Sequence, residues 1–350
     1  MRALITGSNG LVGSEMVKLL CVEGWNVLGI DNNTRKYLFG KEASTEETGK
    51  ELTQKYSNQY NVLNKDIRDQ KTIAAMFNLY GPFNFIVHCA AQPAHDWSTD
   101  NALEDFQINA VGTVNILEAY RQYSPKTPFI HVSTSKVYGD HVNRLPLIEE
   151  KTRFELPKNH PWFEGVNETM SIDQSTHSLF GASKASGDLM AQEYGRYFNL
   201  PIAIVRPVCI TGKSHKGAKL HGYLAYLAKC IATGEEYTIN GYKGKQVRDN
   251  IHASDLVKAF YEVYKDPSKV EGTVYNIGGG RFSNNSMLEA IAQFEKLLGK
   301  KGNIKYSDTT RKGDHKWAIF SNNKFQTDYP NWKLIYDNDA IMKELAEMYL

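Results

Sequence analysis

The stretch TGSNGLVG, residues 6–13, has the residue types that bind a phosphate group. It places Gly7, Gly10 and Gly13 between an apolar run typical of a buried strand and a pattern that predicts a helix. Glycines let the backbone approach a pyrophosphate, and the start of the helix offers unpaired N–H groups and the positive end of its dipole. Because the motif stands between a strand and a helix, we predict a dinucleotide site here.

Acidic residues follow the next two predicted strands. Asp31 ends the second strand, where a carboxylate would accept the ribose hydroxyls of NAD and repel the 2′-phosphate of NADP. The positive charges of Arg35 and Lys36 nearby weaken this predicted preference for NAD over NADP. Asp66, after the third strand, would lie beside the adenine or would only form a polar strand end. The predicted cofactor contacts are Gly7, Asn9, Gly10, Leu11, Val12, Gly13, Asp31, Asn32, Asp66, Ile67, Ala90 and Lys184.

Short apolar runs alternate with helical periods through the first half of the chain. Continuous apolar runs of this kind predict strands that are buried on both faces of a parallel sheet. Strand–helix alternation predicts a doubly wound α/β fold, with its ligand at the carboxyl ends of the strands. The predicted strands are residues 3–6, 26–30, 60–64, 83–89, 128–133 and 202–207, and the first helix is residues 11–20.

The pattern changes in three places. Residues 32–58 are polar and long for a connection, so we expect a short helix that lies over the ligand face. Residues 212–234 predict a loop that leads into a helix, and two more helical patterns follow residue 278. We therefore predict a nucleotide-binding domain of residues 1–207, to which 246–277 return, and a smaller substrate domain of residues 208–245 and 278–350.

Composition argues against several classes of protein. Lys and Arg total 41 against 39 Asp and Glu, so we expect no nucleic acid partner. Four scattered cysteines without CxxC spacing predict reduced thiols and no metal site. The chain begins with a strand pattern instead of a signal peptide, and its apolar runs are too short to cross a bilayer. We expect a cytoplasmic protein with no membrane partner.

Further motifs make this sequence similar to a known family. They are HCAAQ (88–92), INAVGTVNILEA (108–119), STSKVYGD (133–140), SKASGD (183–188), KQVRDNIHASD (245–255) and YNIGGG (275–280). Together with the glycine motif they resemble, in order, the extended short-chain dehydrogenase/reductase family of nucleotide-sugar enzymes. The resemblance implies a seven-stranded Rossmann-type NAD-binding domain, a small C-terminal substrate domain, and a homodimer formed through helices at 104–122 and 179–198.

The resemblance also implies a reaction. The epimerases of this family oxidise the carbinol at an unactivated sugar carbon to a ketone with NAD. They then reduce the ketone on its other face. This chemistry needs a base, a hydride acceptor and a donor to the carbonyl oxygen. Thr134 occupies the family's Ser/Thr position, and Lys184 occupies the Lys of its YxxxK pattern, where it would hold the nicotinamide ribose. Within the family, KVYGD and KQVRDNIH are most similar to epimerases that act at C2 of a CDP-deoxyhexose.

Phe180 departs from the family, which has Tyr at this position. Its i, i+4 spacing from Lys184 gives it the expected helix face, but a phenyl ring has no proton to exchange. The base has moved to another group or an ordered water, or the Phe is an engineered change, or the protein binds its ligands without turnover. We favour the first explanation, with Thr134, His95 and His177 as candidates. A UDP-sugar 4-epimerase and a catalytically silent binding protein are the alternative functions.

Ser135 and Lys136 argue against two other reactions of the family. Its 4,6-dehydratases have Asp-Glu at these positions, and its glucuronate decarboxylases have Glu where Lys136 stands.

Arg248 and Arg311 match the family's pyrophosphate-binding arginines, and Arg forms bidentate bonds to phosphate. Asp314 would orient Arg311 or bond the nucleoside ribose. The predicted contacts to the nucleotide-diphosphate sugar are Gln92, His95, Asn109, Leu220, His221, Arg248, Arg311 and Asp314.

Overall fold

A parallel sheet of seven strands forms the centre of the protein. The computed structural model describes residues 1–215, 222–310 and 312–350. Its strands are β1 Arg2–Thr6, β2 Asn26–Ile30, β3 Tyr60–Leu63, β4 Phe85–His88, β5 Phe129–Val132, β6 Ile148–Glu149, β7 Phe154–Glu155, β8 Ile202–Pro207, β9 Cys209–Thr211, β10 Glu236–Asn240, β11 Val247–His252, β12 Thr273–Ile277, β13 Asn284–Ser286, β14 Asn303–Ser307 and β15 Trp317–Ala318. The large sheet has the order β12-β8-β5-β4-β1-β2-β3.

This strand order confirms the predicted doubly wound fold of the Rossmann type and its seven strands. All neighbouring strands of the large sheet are parallel, and the order reverses beside β1. The six strands that apolar runs predicted all form. The strand predicted at residues 83–89 is shorter, Phe85–His88.

Helices cover both faces of this sheet, and others lie in the C-terminal part. The helices of the described residues are α1 Leu11–Val22, α2 Thr34–Phe39, α3 Glu46–Lys55, α4 Gln70–Tyr80, α5 Trp97–Asp100, α6 Ala102–Phe106, α7 Gly112–Tyr123, α8 Ser178–Phe198, α9 Tyr223–Thr233, α10 Ala253–Lys265, α11 Met287–Leu298, α12 Asn323–Asp328 and α13 Asn338–Glu347. A π-helical turn, Gln107–Val111, joins α6 to α7, and a 3₁₀ segment, Ser135–Arg144, follows β5. Other 3₁₀ turns are Lys41–Ala43, Tyr242–Gly244 and Pro267–Lys269.

Alternation along β1 shows why the strands are apolar throughout. Ala3 and Ile5 belong to one buried cluster with Met16 of α1, whereas Leu4 belongs to a second cluster with Ile116 of α7. Successive strand side chains point to opposite faces, so a sheet covered on both faces requires an apolar residue at each position. The carboxyl ends of the strands are then left as the open edge where polar loops gather.

The C-terminal part contains more helix than the sequence predicted. In the described part of the chain three helices, α11, α12 and α13, follow residue 278 instead of two, because α12 has six residues and is too short for a visible apolar period. A separate apolar cluster joins α9, α11 and α13 to β10. The division into two domains stays a prediction.

The connection at residues 32–58 is also more ordered than expected. It contains α2 and α3, where the sequence predicts a single short helix. Within α3 only Gly49 and Leu52 are buried, so its apolar pattern is weak.

Among the described residues no helix has the length and apolar character that would carry it across a membrane. The cytoplasmic location stays a prediction.

Candidate active site

A cavity of about 860 Å³ brings most of the predicted site residues together. It lies where the loops after the central strands meet the C-terminal part of the chain. The predicted residues that line it are Gly7, Gly10, Leu11, Val12, Gly13, Asp31, Asn32, Asp66, Ile67, Ala90, Gln92, His95, Thr134, Phe180, Lys184, Arg248 and Asp314. Asn9 and Asn109 do not line the cavity. Leu220, His221 and Arg311 lie outside the described residues.

The glycine motif makes a turn that has no space for a side chain at Gly7 or Gly13. Gly7 has a φ of +64°, and its N–H donates to the Ile30 carbonyl at 2.7 Å. A Cβ on Gly13 would lie 2.1 Å from the Gly7 carbonyl oxygen. Gly10 is the N-cap of α1 and has no side chain to cap it. The first N–H groups of α1 are therefore available to an anion in the cavity.

Asp31 joins the end of β2 to the glycine motif. Its carboxylate accepts hydrogen bonds from the backbone N–H of Asn9 at 2.9 Å and of Asn33 at 2.8 Å. Burial raises the pKa of this carboxyl group, and the two bonds only partly reverse that change. Asn9 acts behind the cavity wall, where its side-chain oxygen accepts from the Tyr60 hydroxyl at 2.8 Å. Each Asp31 oxygen can accept a further bond from a ribose hydroxyl.

Asp66 is held in place by its neighbours. Arg68 pairs with its carboxylate at 2.7 Å, and the Asn32 amide donates to it at 3.2 Å. Burial raises the pKa of Asp66, but the bonds from Arg68 outweigh burial and leave the pKa below its ordinary value. Ile67 is buried beside it. These two residues therefore give the cavity one charged and one apolar surface after β3.

Thr134 and Lys184 line the cavity beyond the end of β5. The Thr134 hydroxyl oxygen accepts from the Lys136 N–H at 3.3 Å, which leaves the O–H to donate. The Lys184 ammonium donates to the Val132 carbonyl at 2.9 Å. Burial lowers the pKa of Lys184 to about 8, so its charge is retained near neutral pH. One hydroxyl donor and one cation are thus available to a reacting oxygen or a ribose.

Phe180 is buried one helical turn before Lys184, as the i, i+4 spacing predicts. Phe180 also lines the cavity. The centroid of the His95 ring lies 6.4 Å from the centroid of the Phe180 ring. The departure from the family pattern therefore lies inside the site, next to one of its candidate replacements.

Asn109 orders the loop after β4 and does not face the cavity. Its side-chain oxygen accepts from the Gln92 N–H at 2.9 Å. Its amide donates to the carboxylate of Asp105 and to the hydroxyl of Ser183, both at 3.1 Å. Gln92, by contrast, lines the cavity. In this structure Asn109 therefore orders the loop at Gln92, and its contact with substrate stays a prediction.

Lys136 forms a charged cluster that sequence reasoning missed. Its ammonium lies 2.9 Å from Asp314 Oδ1, and the Arg248 guanidinium lies 2.7 Å from the same atom. Burial would raise the pKa of Asp314, but the two cations hold it well below its ordinary value. Asp314 therefore orients Arg248 and Lys136. The position of Lys136 beside Thr134 was the available signal, but no local pattern pairs this residue with Asp314.

The residues present fit a bound dinucleotide. An added Cβ at Gly7 or Gly13 would collide with the backbone of the turn. The turn can therefore keep this shape, in which its backbone approaches a pyrophosphate, only if both residues are glycine. The open first turn of α1, the carboxylate of Asp31 and the ammonium of Lys184 supply the donors and acceptors for the phosphates and the two ribose rings. Among the described residues no group of His, Cys, Asp and Glu is arranged to hold a metal ion.

Solved structures share the whole fold. The chain matches a UDP-glucose 4-epimerase of Thermus thermophilus in complex with NAD at a TM-score of 0.78, with 21% identity, 100% of this chain and 99% of that one. It matches a dTDP-glucose 4,6-dehydratase of Bacillus anthracis in complex with NAD at a TM-score of 0.74, with 22% identity, 100% of this chain and 96% of that one. At these identities the match describes the fold.

Sequence comparisons identify the family as well as the fold. The chain is 30% identical over 300 residues to the CDP-paratose 2-epimerase of Salmonella typhi, which covers 84% of each chain. It is 28% identical to a bifunctional UDP-glucose 4-epimerase and UDP-xylose 4-epimerase of Arabidopsis thaliana, over 97% of this chain and 93% of that one. The model of the NAD dependent epimerase/dehydratase family matches residues 3–278. The chain therefore belongs to the NAD dependent epimerase/dehydratase family.

Proposed function

We propose that this protein is a nucleotide-sugar epimerase that acts at C2 of a CDP-deoxyhexose, as the name of its Salmonella relative suggests for that protein. One observation carries the proposal. Thr134 and Lys184 share a single cavity with the dinucleotide turn and with the paired cations Lys136 and Arg248. A cofactor, a sugar carbinol and a diphosphate can thus meet in one space.

The cofactor side of the proposal rests on the cavity wall made by residues 7–13 and Asp31. The first turn of α1 binds the pyrophosphate, and Asp31 accepts the adenosine ribose hydroxyls. Lys184 holds the nicotinamide ribose and keeps positive charge beside the reacting oxygen. Oxidised NAD, when bound, takes up the hydride of a sugar carbon and can return it to the opposite face.

The substrate side rests on Thr134, Lys136, Arg248 and Asp314. The Thr134 hydroxyl donates to the sugar oxygen that becomes a carbonyl. Two cations that share one carboxylate atom lie close enough to bind neighbouring phosphoryl groups. Lys136 replaces the carboxylate that an elimination or decarboxylation would use, which favours epimerisation.

Two alternatives have specific support. A UDP-sugar 4-epimerase is supported by the Arabidopsis relative, whose match covers more of this chain. A binding protein without turnover is supported by Phe180, which has no exchangeable proton. The nucleotide base and the reacting carbon separate the first alternative from our proposal, and turnover separates the second.

The experiment is to purify the protein and incubate it separately with CDP-tyvelose and with UDP-glucose. Proton NMR would show whether the other epimer appears, and absorbance would show transient reduction of the bound nicotinamide. Deuterium at C2 of CDP-tyvelose should remain with the sugar and should not exchange into water, because the hydride stays within the site. Interconversion of UDP-glucose alone would favour the 4-epimerase, and no reaction with either sugar would contradict the proposal.

We also propose that a second copy of the chain covers α8 and the π-helical turn. Leu179, Leu189 and Tyr197 of α8 and Val111 of the turn are large apolar residues that are exposed. Exposed apolar side chains concentrated on neighbouring helices favour a homodimer of the kind that the family resemblance implies. Leu189→Glu should convert a dimer to a monomer in analytical ultracentrifugation, while an unchanged mass would contradict this surface.

A further inference from the structure

We propose that His95 replaces the missing phenol and that its Nε2 accepts the proton of the reacting sugar hydroxyl. The inference rests on the proposed epimerase function. Phe180 has the expected position on α8 but no proton to exchange, so an epimerase with this sequence needs another base in the same cavity. His95 lies in the loop after β4 and lines that cavity.

A buried serine fixes His95 next to Phe180. The Ser98 hydroxyl donates to the His95 carbonyl at 2.7 Å, and the Phe180 N–H donates to the same hydroxyl oxygen at 3.1 Å. Ser98 is fully buried. The loop is thereby tied to the first turn of α8, and the two rings are held with their centroids 6.4 Å apart. The imidazole is thus held beside the Phe180 ring, the residue that replaces the phenol.

The two ring nitrogens of His95 have different surroundings. Nδ1 lies 3.5 Å from a carboxylate oxygen of Asp96. Nε2 is buried and has no hydrogen-bond partner among the described residues. A carboxylate near Nδ1 favours the tautomer with its proton on Nδ1, which leaves the lone pair on Nε2. Nε2 has almost no accessible surface, whereas the His95 side chain as a whole is 17% exposed, so a rotation of the ring would bring Nε2 to a sugar bound in the cavity. A buried polar atom is normally paired, and the sugar hydroxyl would then be the partner that Nε2 lacks.

The other histidines near the site do not fit this role. Both ring nitrogens of His177 contact backbone carbonyl oxygens, of Ser175 at 3.0 Å and of Val137 at 2.8 Å, and His177 does not line the cavity. His215 lines the cavity, but it lies near Arg35, and burial lowers its pKa to about 3. A group with so low a pKa is a weak base at neutral pH.

The remaining polar groups beside Phe180 act as donors. Thr134 is a hydroxyl whose oxygen already accepts the Lys136 N–H. The Lys136 ammonium is paired with Asp314 at 2.9 Å; burial lowers the pKa of Lys136, and the carboxylate opposes that change. Lys184 donates to the Val132 carbonyl. Each of these groups can stabilise an alkoxide or a carbonyl oxygen, whereas His95 can accept a proton from it.

The proton and the electrons are then accounted for. The O–H bond of the sugar breaks as its proton moves to Nε2, and the electron pair of that bond forms the second bond of the ketone. The hydride leaves the same carbon for the oxidised cofactor that the family uses. When the ketone is reduced on its other face, the imidazolium returns its proton to the oxygen. No net oxidation of the sugar occurs.

The test uses four variants of the full-length protein: His95→Gln, Phe180→Tyr, the double variant, and His160→Gln as a matched control. His160 does not line the cavity. The reaction is followed with CDP-tyvelose and UDP-glucose. We expect His95→Gln to lower kcat about 100-fold or more with little change in KM, since that is the usual contribution of a general base. His160→Gln should keep the wild-type rate.

The double variant distinguishes a base from a structural residue. If His95 is the base, Phe180→Tyr should restore most of the rate that His95→Gln removes, because the phenol then takes the proton. A structural role would leave the double variant as slow as His95→Gln. Bound NAD, measured in acid extracts, should be equal in all four variants.

Binding gives a readout that does not depend on turnover. In protein labelled with 15N-histidine, the Nε2 resonance of His95 should move when CDP-tyvelose is added, and the His160 signals should not. An unchanged His95 signal, or an active wild type with undiminished His95→Gln, would overturn the inference alone. A wild type that neither interconverts CDP-tyvelose or UDP-glucose nor reduces its NAD would overturn the proposed function itself.

Discussion

Two walls of the cavity are built in different ways. The cofactor wall, residues 7–13 and Asp31, comes from one strand–helix–strand unit and presents backbone groups to the cavity. The substrate wall, Thr134, Lys136, Arg248 and Asp314, brings one hydroxyl and three charged side chains together from three distant segments. A backbone wall tolerates almost no added side chain, whereas a side-chain wall can change its charge without changing the fold. Binding of the cofactor should therefore be the less adaptable of the two functions.

The largest effect should come from Gly13→Ala in the cofactor wall. Its Cβ would lie 2.1 Å from the Gly7 carbonyl oxygen and 2.8 Å from the Ser8 Cα, so the turn must move. We expect loss of bound NAD and a destabilisation of about 2 kcal/mol, typical of a buried side chain that does not fit. NAD in extracts and thermal unfolding would measure these changes. Gly10→Ala is the comparison for thermal stability, since its Cβ would lie 3.3 Å from the Gly7 oxygen, and an equal loss of stability in both variants would contradict the steric argument.

Lys184, which lies between the two walls, should make activity depend on pH. Burial lowers its pKa to about 8, so the ammonium loses its charge as pH rises through about 8. Since the pKa in the folded protein is below the unfolded value, the neutral form is favoured by folding, and this contribution to stability increases between pH 8 and the unfolded pKa. Activity should therefore fall above about pH 8 while stability from this group does not.

The measurement is the pH profile of kcat for wild type and Lys184→Arg. Arginine keeps its charge throughout this range, so the variant should lose the decline above pH 8 even if its rate is lower overall. Lys184→Met should be about 100-fold slower than wild type below pH 8, where wild type keeps the charge beside the reacting oxygen, and the difference should shrink above pH 8. A decline that is the same in Lys184→Arg would assign the titration to another group.

The two walls also differ in how far the sequence could predict them. The glycines and Asp31 follow a spacing rule that acts within one supersecondary unit, so their place at the strand ends could be derived directly. Lys136 and Asp314 are 178 residues apart along the chain, and no local pattern connects them. The family resemblance places Asn109 at the substrate, but its partners Gln92 and Ser183 come from other segments. Long-range pairing between polar side chains was thus the part that the sequence did not reveal.

The fold shows the same division. Strands buried on both faces have a strong apolar pattern, and all six predicted strands form. Helix α3 has one buried large residue, Leu52, and α12 has six residues, so neither produced a clear period. The strands of the large sheet were therefore predicted, and short helices with few buried apolar residues were not.

Arg248→Gln should weaken binding of the substrate nucleotide without changing binding of NAD, and the size of its effect should be intermediate. A guanidinium bound to a phosphate contributes about 1.5–3 kcal/mol, so the affinity for CDP should fall roughly 10- to 100-fold. Bound NAD should not change, because Arg248 belongs to the substrate wall. Isothermal titration with CDP would measure the change. Lys136→Gln is the matched variant and should weaken CDP in the same way. Loss of NAD from either variant would contradict the separation.

The smallest effect should come from Asp66→Asn, beside the cofactor wall. The Asp66 carboxylate pairs with Arg68 at 2.7 Å, and both side chains are partly exposed, so the pair is screened by water. An amide keeps one acceptor oxygen, and we expect the affinity for NAD to fall only a few-fold in a fluorescence titration. Asp69→Asn is the matched control, because Asp69 caps α4 through the Thr72 N–H at 3.1 Å and does not line the cavity. It should lower the melting temperature slightly and leave the NAD affinity unchanged, and the reverse result would place the adenine away from Asp66.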